Sequence, residues 1–424
     1  SSAASDVYKR QGPAQGRKQM NMNREQQFKR ELTEELRNNI LPFWARQMVD
    51  PGGGFFGRMT GTGELIANAG RSAILCGRIL WTFSAAYRTS GCEQYLATAT
   101  AARDYLLDKF LDKTYGGVYW SVDAAGNPAD TKKQFYALGF AIYGLSEYAR
   151  ATGDERALRE AIGLFRAIEE HSYDAVNNGY EEAAARDWSP IDDVRLSDKD
   201  ANEKKTMNTH LHILEAYTNL LRIWPDEGLR RQTRNLLEIF LSRIVQPQNG
   251  HLGLFFDDRW QLKSAGCFSY GHDIEASWLL LETAATLGDE ALYERTRTSC
   301  YAIANAALEG YMGDWSMIYE RHPDGTRNLE RHWWVQAECV IGLFYLYRLH
   351  GRKEALEPAL KTWDYIKTHL IDRTGGEWWW SILPDGSVNR TDDKAGFWKC
   401  PYHNGRMCME IAAHIPDNET SSAR

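Results

Sequence analysis

The chain has 424 residues, of which 43% are hydrophobic, and it carries a formal net charge of −7. This length and composition suit a protein with a large buried core, and the acidic balance argues against a nucleic-acid or anionic-membrane partner. The seven cysteines are odd in number, scattered and free of any CxxC pair, which favours reduced thiols and a cytoplasmic location.

The two ends of the chain differ in composition from the rest. The opening stretch SSAASDVYKRQGPAQGRKQM is polar and aperiodic, so residues 1–21 are predicted to be disordered or a leader left from expression cloning. Residues 416–424 are predicted to fray. No linker divides the remainder, and we expect a single domain over residues 22–415. No apolar run approaches the length of a membrane span, so no membrane partner is expected.

In chain order, six short loops rich in glycine and aromatic residues punctuate this domain. They read PGGGFFGRM, YGGVYWSVDAAG, NNGYEEAAARDW, QNGHLGLFFDDRW, YMGDWSMIYERHPDG and TGGEWWWSILPDGS. One glycine from each loop recurs at intervals of 64, 62, 71, 63 and 62 residues, namely Gly53, Gly117, Gly179, Gly250, Gly313 and Gly375. Spacing this regular indicates a repeated supersecondary unit.

Between the loops, an apolar helical pattern is followed by a more charged one. Apolar helices are predicted at 74–87, 135–148, 209–221, 274–285 and 335–349, and charged helices at 92–110, 156–171 and 229–244. Six such pairs predict an all-α (α/α)6 barrel, in which the apolar helices form the inner ring. The loops would form short β-hairpins at one end, and functional residues gather where loops surround a concave mouth.

Polar side chains interrupt the apolar helices at or near their starts. The segments are RILWTFSAAY with Arg78, MNTHLHILEAY with Asn208 and His212, GHDIEASWLLLETA with His272 and Glu275, RHWWVQAECVIGLFYLY with Trp334 and Glu338, and FWKCPYHNGRMCMEI with Trp398, His403 and Arg406. Residues three or four apart share one face of a helix. A closed ring of helices would therefore bring these groups to one pocket.

Each of these residues also has a plain structural interpretation. Arg78 would be a buried ion-pair partner, Asn208 a helix N-cap, and His212 a core histidine. Glu275 would neutralise an arginine or orient a histidine, and Trp334 would be core. The whole set is harder to explain in this way, because each unpaired buried polar group costs about 1–3 kcal/mol.

Three kinds of chemistry fit parts of this set. The HLH and HDIE segments offer three imidazoles and a carboxylate, but HxH on a helix places its rings about 200° apart, so we expect no metal and no cofactor. A glycosidase needs two carboxylates about 5–10 Å apart, for which only Glu275 and Glu338 are convincing. Histidines with an arginine suit proton abstraction beside a carbonyl, with Arg78 and His212 stabilising the enediolate.

The segments MNTHLHILEAYTNL, GHDIEASWLL, RHWWVQAE and FWKCPYHNGRMCME together resemble the signature blocks of the N-acylglucosamine 2-epimerase superfamily, and most closely those of its cellobiose 2-epimerases. The resemblance covers nearly the whole chain from Met22 onward. It implies an (α/α)6 barrel that needs neither metal nor nucleotide. The reaction it implies is the interconversion of glucose and mannose at the reducing end of β-1,4-linked disaccharides, such as cellobiose, lactose or a mannobiose-like sugar.

The resemblance also implies a role for each matching residue. His272 and His403 would be the acid/base pair, while Arg78 and His212 would hold the open-chain sugar near C1 and C2. The implied substrate-binding residues are Asn208, Glu275, Trp334, Glu338 and Trp398, of which the two tryptophans would stack on sugar rings.

Two other interpretations stay open at this point. A related activity on N-acetylglucosamine or free mannose would use the same histidines and the same fold. A sugar-binding protein without turnover is a different class of answer, which the presence of both His272 and His403 disfavours. The sugar is the only partner expected, and the chain is expected to be a monomer or a weak dimer. The preferred disaccharide and the balance of epimerisation against aldose–ketose isomerisation are left open.

Overall fold

A computed structural model describes the backbone of residues 13–417 and the side chains of residues 23–417. The helices in this part of the chain are α1 Pro13–Glu35, α2 Leu41–Arg46, α3 Ala73–Ser90, α4 Glu93–Tyr105, α5 Phe135–Thr152, α6 Glu155–His171, α7 Met207–Leu221, α8 Glu227–Ile239, α9 Tyr270–Leu287, α10 Glu290–Ala307, α11 Trp333–Arg348, α12 Leu356–Tyr365 and α13 Tyr402–His414. Five-residue π-helical segments follow four of them, at Leu36–Ile40, Leu106–Phe110, Phe240–Ile244 and Ile366–Leu370. Short 3₁₀ turns lie at Leu308–Gly310 and Lys353–Ala355.

Six of these helices form a closed inner ring. Helices α3, α5, α7, α9, α11 and α13 each pack on the next, and α13 packs back on α3. Around them, α4, α6, α8 and α10 each pack on two neighbouring inner helices, while α12 packs on α11 and α1 packs on α13. The predicted (α/α)6 barrel is therefore confirmed.

The sequence explains which helices lie inside the ring. The inner helices are apolar almost all round, as helices buried on every side must be. In α5, every residue from Phe135 to Ala149 is buried. The outer helices bury one stripe only, which in α6 consists of Ala157, Ala161, Leu164, Phe165 and Ile168. Such a stripe follows the helical period and leaves the charged face to solvent.

Short antiparallel strands join neighbouring units at the end of the barrel where the inner helices begin. The strands are β1 Arg71–Ser72, β2 Ser121–Val122, β3 Pro128–Asp130, β4 Lys133–Gln134, β5 Ala183–Ala184, β6 Lys205–Thr206, β7 Phe255–Phe256, β8 Phe268–Ser269, β9 Glu320–Arg321, β10 Arg327–Asn328, β11 Arg331–His332 and β12 Ser381–Ile382. The strand before each of five inner helices pairs with a strand of the next hairpin, as β1–β2, β4–β5, β6–β7, β8–β9 and β11–β12. A bridge between Met59 and Ala395 joins the last unit to the first.

The glycine-aromatic loops form the predicted hairpins, and a buried ion pair secures several of them. Asp112 shows the arrangement: one carboxylate oxygen accepts hydrogen bonds from the backbone of Thr114 and Tyr115, and the other accepts from the buried Lys133 at 2.9 Å. The same pairing recurs as Asp50–Arg71, Asp174–Lys205 and Asp372–Lys394. The pairs of Asp50, Asp112 and Asp174 each fasten a loop to the strand that leads into the next inner helix, and Asp372–Lys394 fastens the sixth loop to the segment before α13.

One feature of the backbone differs from the sequence-based expectations. Helix α1 begins at Pro13, inside the segment expected to be disordered, because its Gln, Arg, Lys and Met residues favour helix. Residues 1–12 and 418–424 lie outside the described residues, so the domain bounds 22–415 stay a prediction. None of the described helices combines the length and apolarity that a membrane crossing requires.

Candidate active site

A cavity of about 500 Å³ lies at the starts of α7 and α9. Of the predicted site residues, Asn208 and His272 line it, together with Ser269 of β8, Tyr319 and Trp380. The segment 194–203, which precedes β6, contributes a further wall. A second cavity of about 560 Å³ lies between α1 and the loop after residue 370, away from every predicted site residue.

His403, near the start of α13, is oriented by a carboxylate. Its Nδ1 lies 2.7 Å from Oε1 of Glu338, whose Oε2 accepts a hydrogen bond from Trp278 at 2.9 Å. Burial opposes ionisation of Glu338, yet the Arg406 guanidinium and the His403 hydrogen bond lower its pKa to about 2. The ionised carboxylate therefore accepts from Nδ1–H, which leaves Nε2 of His403 free of a proton. Burial lowers the pKa of His403 to about 3, so this ring is neutral near pH 7.

His272, in the first turn of α9, has a hydroxyl partner instead. Its Nδ1 lies 2.7 Å from Oγ of Ser269. Burial, and after it the nearby His212 and His403, lower the pKa of His272 to about 3. The indole of Trp334 lies against both rings, with centroid distances of 4.8 Å to His272 and 5.4 Å to His403. The two predicted acid/base histidines therefore share one aromatic neighbour.

Arg406 connects the carboxylates of the site. Its Nη2 lies 2.7 Å from Oε1 of both Glu275 and Glu338, and its Nη1 contacts Glu215. Burial and the neighbouring Glu338 raise the pKa of Glu275 well above its usual range. Burial works against Glu215 as well, but Arg406 lowers the pKa of that carboxyl. Of the three carboxyl groups that face the guanidinium, Glu275 is therefore the weakest acid.

Glu215 and Tyr402 belong to this network, and the sequence analysis missed both. Glu215 accepts a hydrogen bond from Tyr402 and lies 2.8 Å, through Oε2, from Nδ1 of His212. Burial lowers the pKa of His212, which is therefore neutral near pH 7. The spacing of three residues between His212 and Glu215 was the sequence signal that could have indicated Glu215. The same spacing separates His272 from Glu275, which the sequence did indicate.

Arg78 lies in the site without a carboxylate partner among the described residues. Its Nη2 donates to Tyr136 Oη at 2.8 Å and its Nη1 to the carbonyl of Trp398 at 3.0 Å. The guanidinium carbon also lies 4.3 Å from the ring centroid of Phe140. The interpretation of Arg78 as a buried ion-pair partner is therefore wrong, and its positive charge is available to an anionic ligand.

Asn208 and Trp398 occupy the remaining predicted positions. Asn208 is not the N-cap of α7, because the side chain of Thr206 accepts from Thr209 in that role. The Oδ1 atom of Asn208 is buried and has no hydrogen-bond partner among the described residues. Trp398 packs edge-on against Trp120 at 5.9 Å and Tyr136 at 6.1 Å between centroids, and its carbonyl holds Arg78.

The donor atoms of Glu275, Glu338 and His403 lie within 4.8 Å of one another, close enough for a metal ion. Arg406 Nη2, however, contacts both carboxylates at 2.7 Å, so its guanidinium occupies the place where a cation would bind. The HLH segment does not supply two ligands, because His210 accepts a hydrogen bond from the Tyr180 amide and its Nδ1 lies 2.7 Å from the Thr206 carbonyl. These donors do not assemble into a vacant metal site.

A barrel of six helix pairs, with histidines, carboxylates and arginines at the starts of its inner helices, can be compared with known protein families. Residues 54–405 match the family described as N-acylglucosamine 2-epimerase, and the chain belongs to this family.

Several individual relatives are similar to this chain over most of its length. A cellobiose 2-epimerase from Bacteroides fragilis is 55% identical over 91% of this chain and 98% of its own, and one from Ruminococcus albus is 39% identical over 90% and 97%. The solved structure of a cellobiose 2-epimerase from Bacillus thermoamylovorans B4167 has 38% identity and superposes with a TM-score of 0.87 over 92% of this chain and 99% of that one.

Proposed function

We propose that this protein is an epimerase that interconverts glucose and mannose at the reducing end of β-1,4-linked disaccharides such as cellobiose and lactose. The observation that carries the proposal is the pair of neutral imidazoles, His272 and His403, which both lie against Trp334. The relatives named cellobiose 2-epimerase support the substrate class. A binding protein would have no need of two bases, so turnover is favoured over binding alone.

The reaction requires the C2 proton to leave one face of the open-chain sugar and to return to the other. After ring opening, Nε2 of one histidine takes the proton from C2. The electron pair of the C2–H bond then forms the C1=C2 bond, and the carbonyl pair moves onto O1. The second histidine, which has taken up a proton from solvent and so carries one on each ring nitrogen, donates its Nε2 proton to the opposite face of C2, the C1=C2 pair forms the new C–H bond, and C1=O1 is restored. Each positioned acid or base typically contributes about 10²–10⁴ in rate.

Other residues of the site stabilise the intermediate and hold the sugar. Arg78 lacks a carboxylate partner and serves as the cation for O1. The neutral His212 gives its Nδ1–H to Glu215, so its Nε2 can accept a hydrogen bond from a sugar hydroxyl. Asn208 offers its unpartnered Oδ1 to a sugar hydroxyl. The two tryptophans, Trp334 and Trp398, provide flat apolar faces for pyranose rings.

The two remaining acids of the site are Glu338, which acts on a histidine, and Glu275, which acts on the sugar. Glu338 orients His403, and Glu275, which contacts Arg406 at 2.7 Å, binds the sugar. All seven cysteines are free thiols, which supports a reducing cytoplasmic location. The sugar is the only partner in this proposal, and the chain acts as a monomer or a weak dimer.

The test is to incubate the protein separately with cellobiose, lactose, mannose and N-acetylglucosamine and to resolve the products by chromatography. We expect epimerisation of the two disaccharides, with deuterium at C2 of the product in D2O. Methyl β-cellobioside, whose reducing end cannot open, should be inert. Turnover of that glycoside would refute the mechanism, and conversion of N-acetylglucosamine or mannose alone would assign the related activity instead.

Variants of the two histidines test the residues. His272→Ala and His403→Ala should each lose about 10²–10⁴ in kcat, and Arg78→Ala about 10²–10³ because one donor to the oxyanion is lost. Circular dichroism checks that each variant is folded. Full activity in either folded histidine variant would remove that residue from the mechanism.

A further inference from the structure

The two histidines differ in the group that holds Nδ1. For His403 this group is the Glu338 carboxylate, and for His272 it is the hydroxyl of Ser269, which lies in β8 just before α9. Ser269 is buried and also lines the cavity. The equivalent contact between His212 and Glu215 again uses a carboxylate. Among these three imidazoles, His272 alone is oriented by a neutral group.

We propose that Ser269 is a positioning residue for the epimerisation, which accepts the Nδ1–H of His272 and holds Nε2 toward C2 as the nitrogen that carries the transferred proton. This inference rests on the proposed function and adds to it an unequal division of work between the two histidines. The tautomer follows from the chemistry: Nδ1–H is present both in the imidazolium and in the neutral ring that remains after Nε2 gives up its proton. The hydroxyl can therefore accept throughout the reaction without a change of tautomer.

The neutral Ser269 hydroxyl at Nδ1 affects the acidity of the His272 imidazolium in a defined direction. A carboxylate beside Nδ1–H stabilises an imidazolium by charge, whereas a hydroxyl offers a hydrogen bond alone. The groups of other helices that face His272 are Arg78, His212, His403 and Glu338, and only the last of them is an anion that favours the imidazolium. The pKa of both rings is lowered to about 3, so what distinguishes them is the charge of the group at Nδ1. A carboxylate supports the imidazolium that forms when His403 accepts a proton, and His272 has no such support at Nδ1.

The proton balance follows from this asymmetry. In the favoured direction, the C2–H bond breaks and the proton passes to Nε2 of His403, while the electron pair forms C1=C2 and the carbonyl pair moves to O1. The Nε2–H bond of the His272 imidazolium then breaks, its proton joins C2 through the C1=C2 pair, and C1=O1 forms again. At the end of the reaction His403 carries one proton more and His272 one proton fewer. Before the next turnover His403 releases its proton to solvent, and His272 takes one up.

The experiment compares variants at Ser269 with a matched serine of the same helix region. Ser269→Ala removes the acceptor, Ser269→Cys keeps the size but accepts hydrogen bonds weakly, and Ser269→Thr restores the hydroxyl. The control is Ser277→Ala, because Ser277 is a buried serine of α9 whose hydroxyl donates to the Ile274 carbonyl. For each protein, kcat and KM are measured with cellobiose, and proton NMR in D2O follows loss of the C2–H signal from each unconverted epimer.

We expect Ser269→Ala and Ser269→Cys to lose about 10- to 100-fold in kcat, as is typical when a hydrogen bond that orients a functional histidine is removed. KM should change little, and Ser269→Thr should recover most of the activity. Because abstraction by His403 is preserved, one of the two epimers should exchange its C2 proton with D2O faster than it is converted.

Three results would overturn the inference. They are wild-type kcat in Ser269→Ala and Ser269→Cys, an equal fall of exchange and conversion for both epimers, and an equal loss in Ser277→Ala. A wild-type protein that converts neither disaccharide would instead refute the proposed function, so the two failures are distinguishable.

Discussion

Replacing Glu338 by glutamine tests whether a carboxylate must orient His403. Glu338 accepts three hydrogen bonds, two at Oε1 from Arg406 and His403 and one at Oε2 from Trp278. In Glu338→Gln one oxygen becomes an NH₂ group, so one buried donor meets another donor, at a cost of about 1–3 kcal/mol. The charge facing Arg406 is also lost, and removing one member of a buried pair costs about 3–5 kcal/mol.

Activity should fall more steeply than stability. Without the carboxylate, His403 loses the group that fixes its Nδ1–H tautomer, and we expect kcat for cellobiose to fall by about 10²-fold or more. The matched control is Glu410→Gln, because Glu410 lies 3.2 Å from His414 and accepts from Tyr345 at the opposite ends of the inner helices. The control should lower the melting temperature and keep kcat. A folded Glu338→Gln protein with kcat within threefold of wild type would refute the reasoning.

Three further predictions concern the sugar site, the metal and a buried histidine. Trp398→Ala should raise KM for cellobiose more than for glucose or mannose, and equal effects would mean that the second ring is held elsewhere. Activity should survive exhaustive EDTA treatment because Arg406 fills the space between the carboxylates, and recovery only on adding a divalent ion would contradict this. Burial lowers the pKa of His210 to about 4, so its stability contribution is present above pH 6.5 and lost on acidification. In urea unfolding, the cost of His210→Gln should be about 2 kcal/mol smaller at pH 5 than at pH 7.

The sequence predicts the barrel well because the fold is a repeat. Each unit has the same hydrophobic period and the same glycine-aromatic loop, so six weak signals support one another. The details of single loops are less predictable. Three hairpin positions with positive φ carry tryptophan, at Trp188, Trp260 and Trp315. The preference of the left-handed region for glycine does not predict tryptophan at these positions. Trp188 is held there by a 2.8 Å hydrogen bond to the Tyr115 carbonyl, a contact between neighbouring units that local sequence does not contain.

The sequence indicates some residues of the candidate site, but it does not indicate the contacts between them. Polar residues near the starts of the inner helices interrupt an otherwise apolar pattern, and this interruption indicates His272 and Glu338 as site residues. Their partners come from other helices, as with Arg406 and Glu215, which are separated by 191 positions in the chain. The sequence also indicates Arg406 as a polar residue near a helix start, but its contacts with three carboxylates depend on how the ring closes. Ser269 gave no signal at all, because a serine before a helix is read as a cap.

The last segment of the chain shows why the site depends on closure of the ring. Residues 397–406 carry His403 and Arg406, and they are fastened to the first inner helix by Ser72, whose hydroxyl donates to the Phe397 carbonyl at 2.9 Å. The buried pair of Lys399 with Glu377, at 2.7 Å, ties the same segment to the sixth loop. Arg406 then neutralises carboxylates from α7, α9 and α11, which would otherwise repel one another in a buried space. Ring closure and assembly of the candidate site are therefore the same event, because one guanidinium completes both.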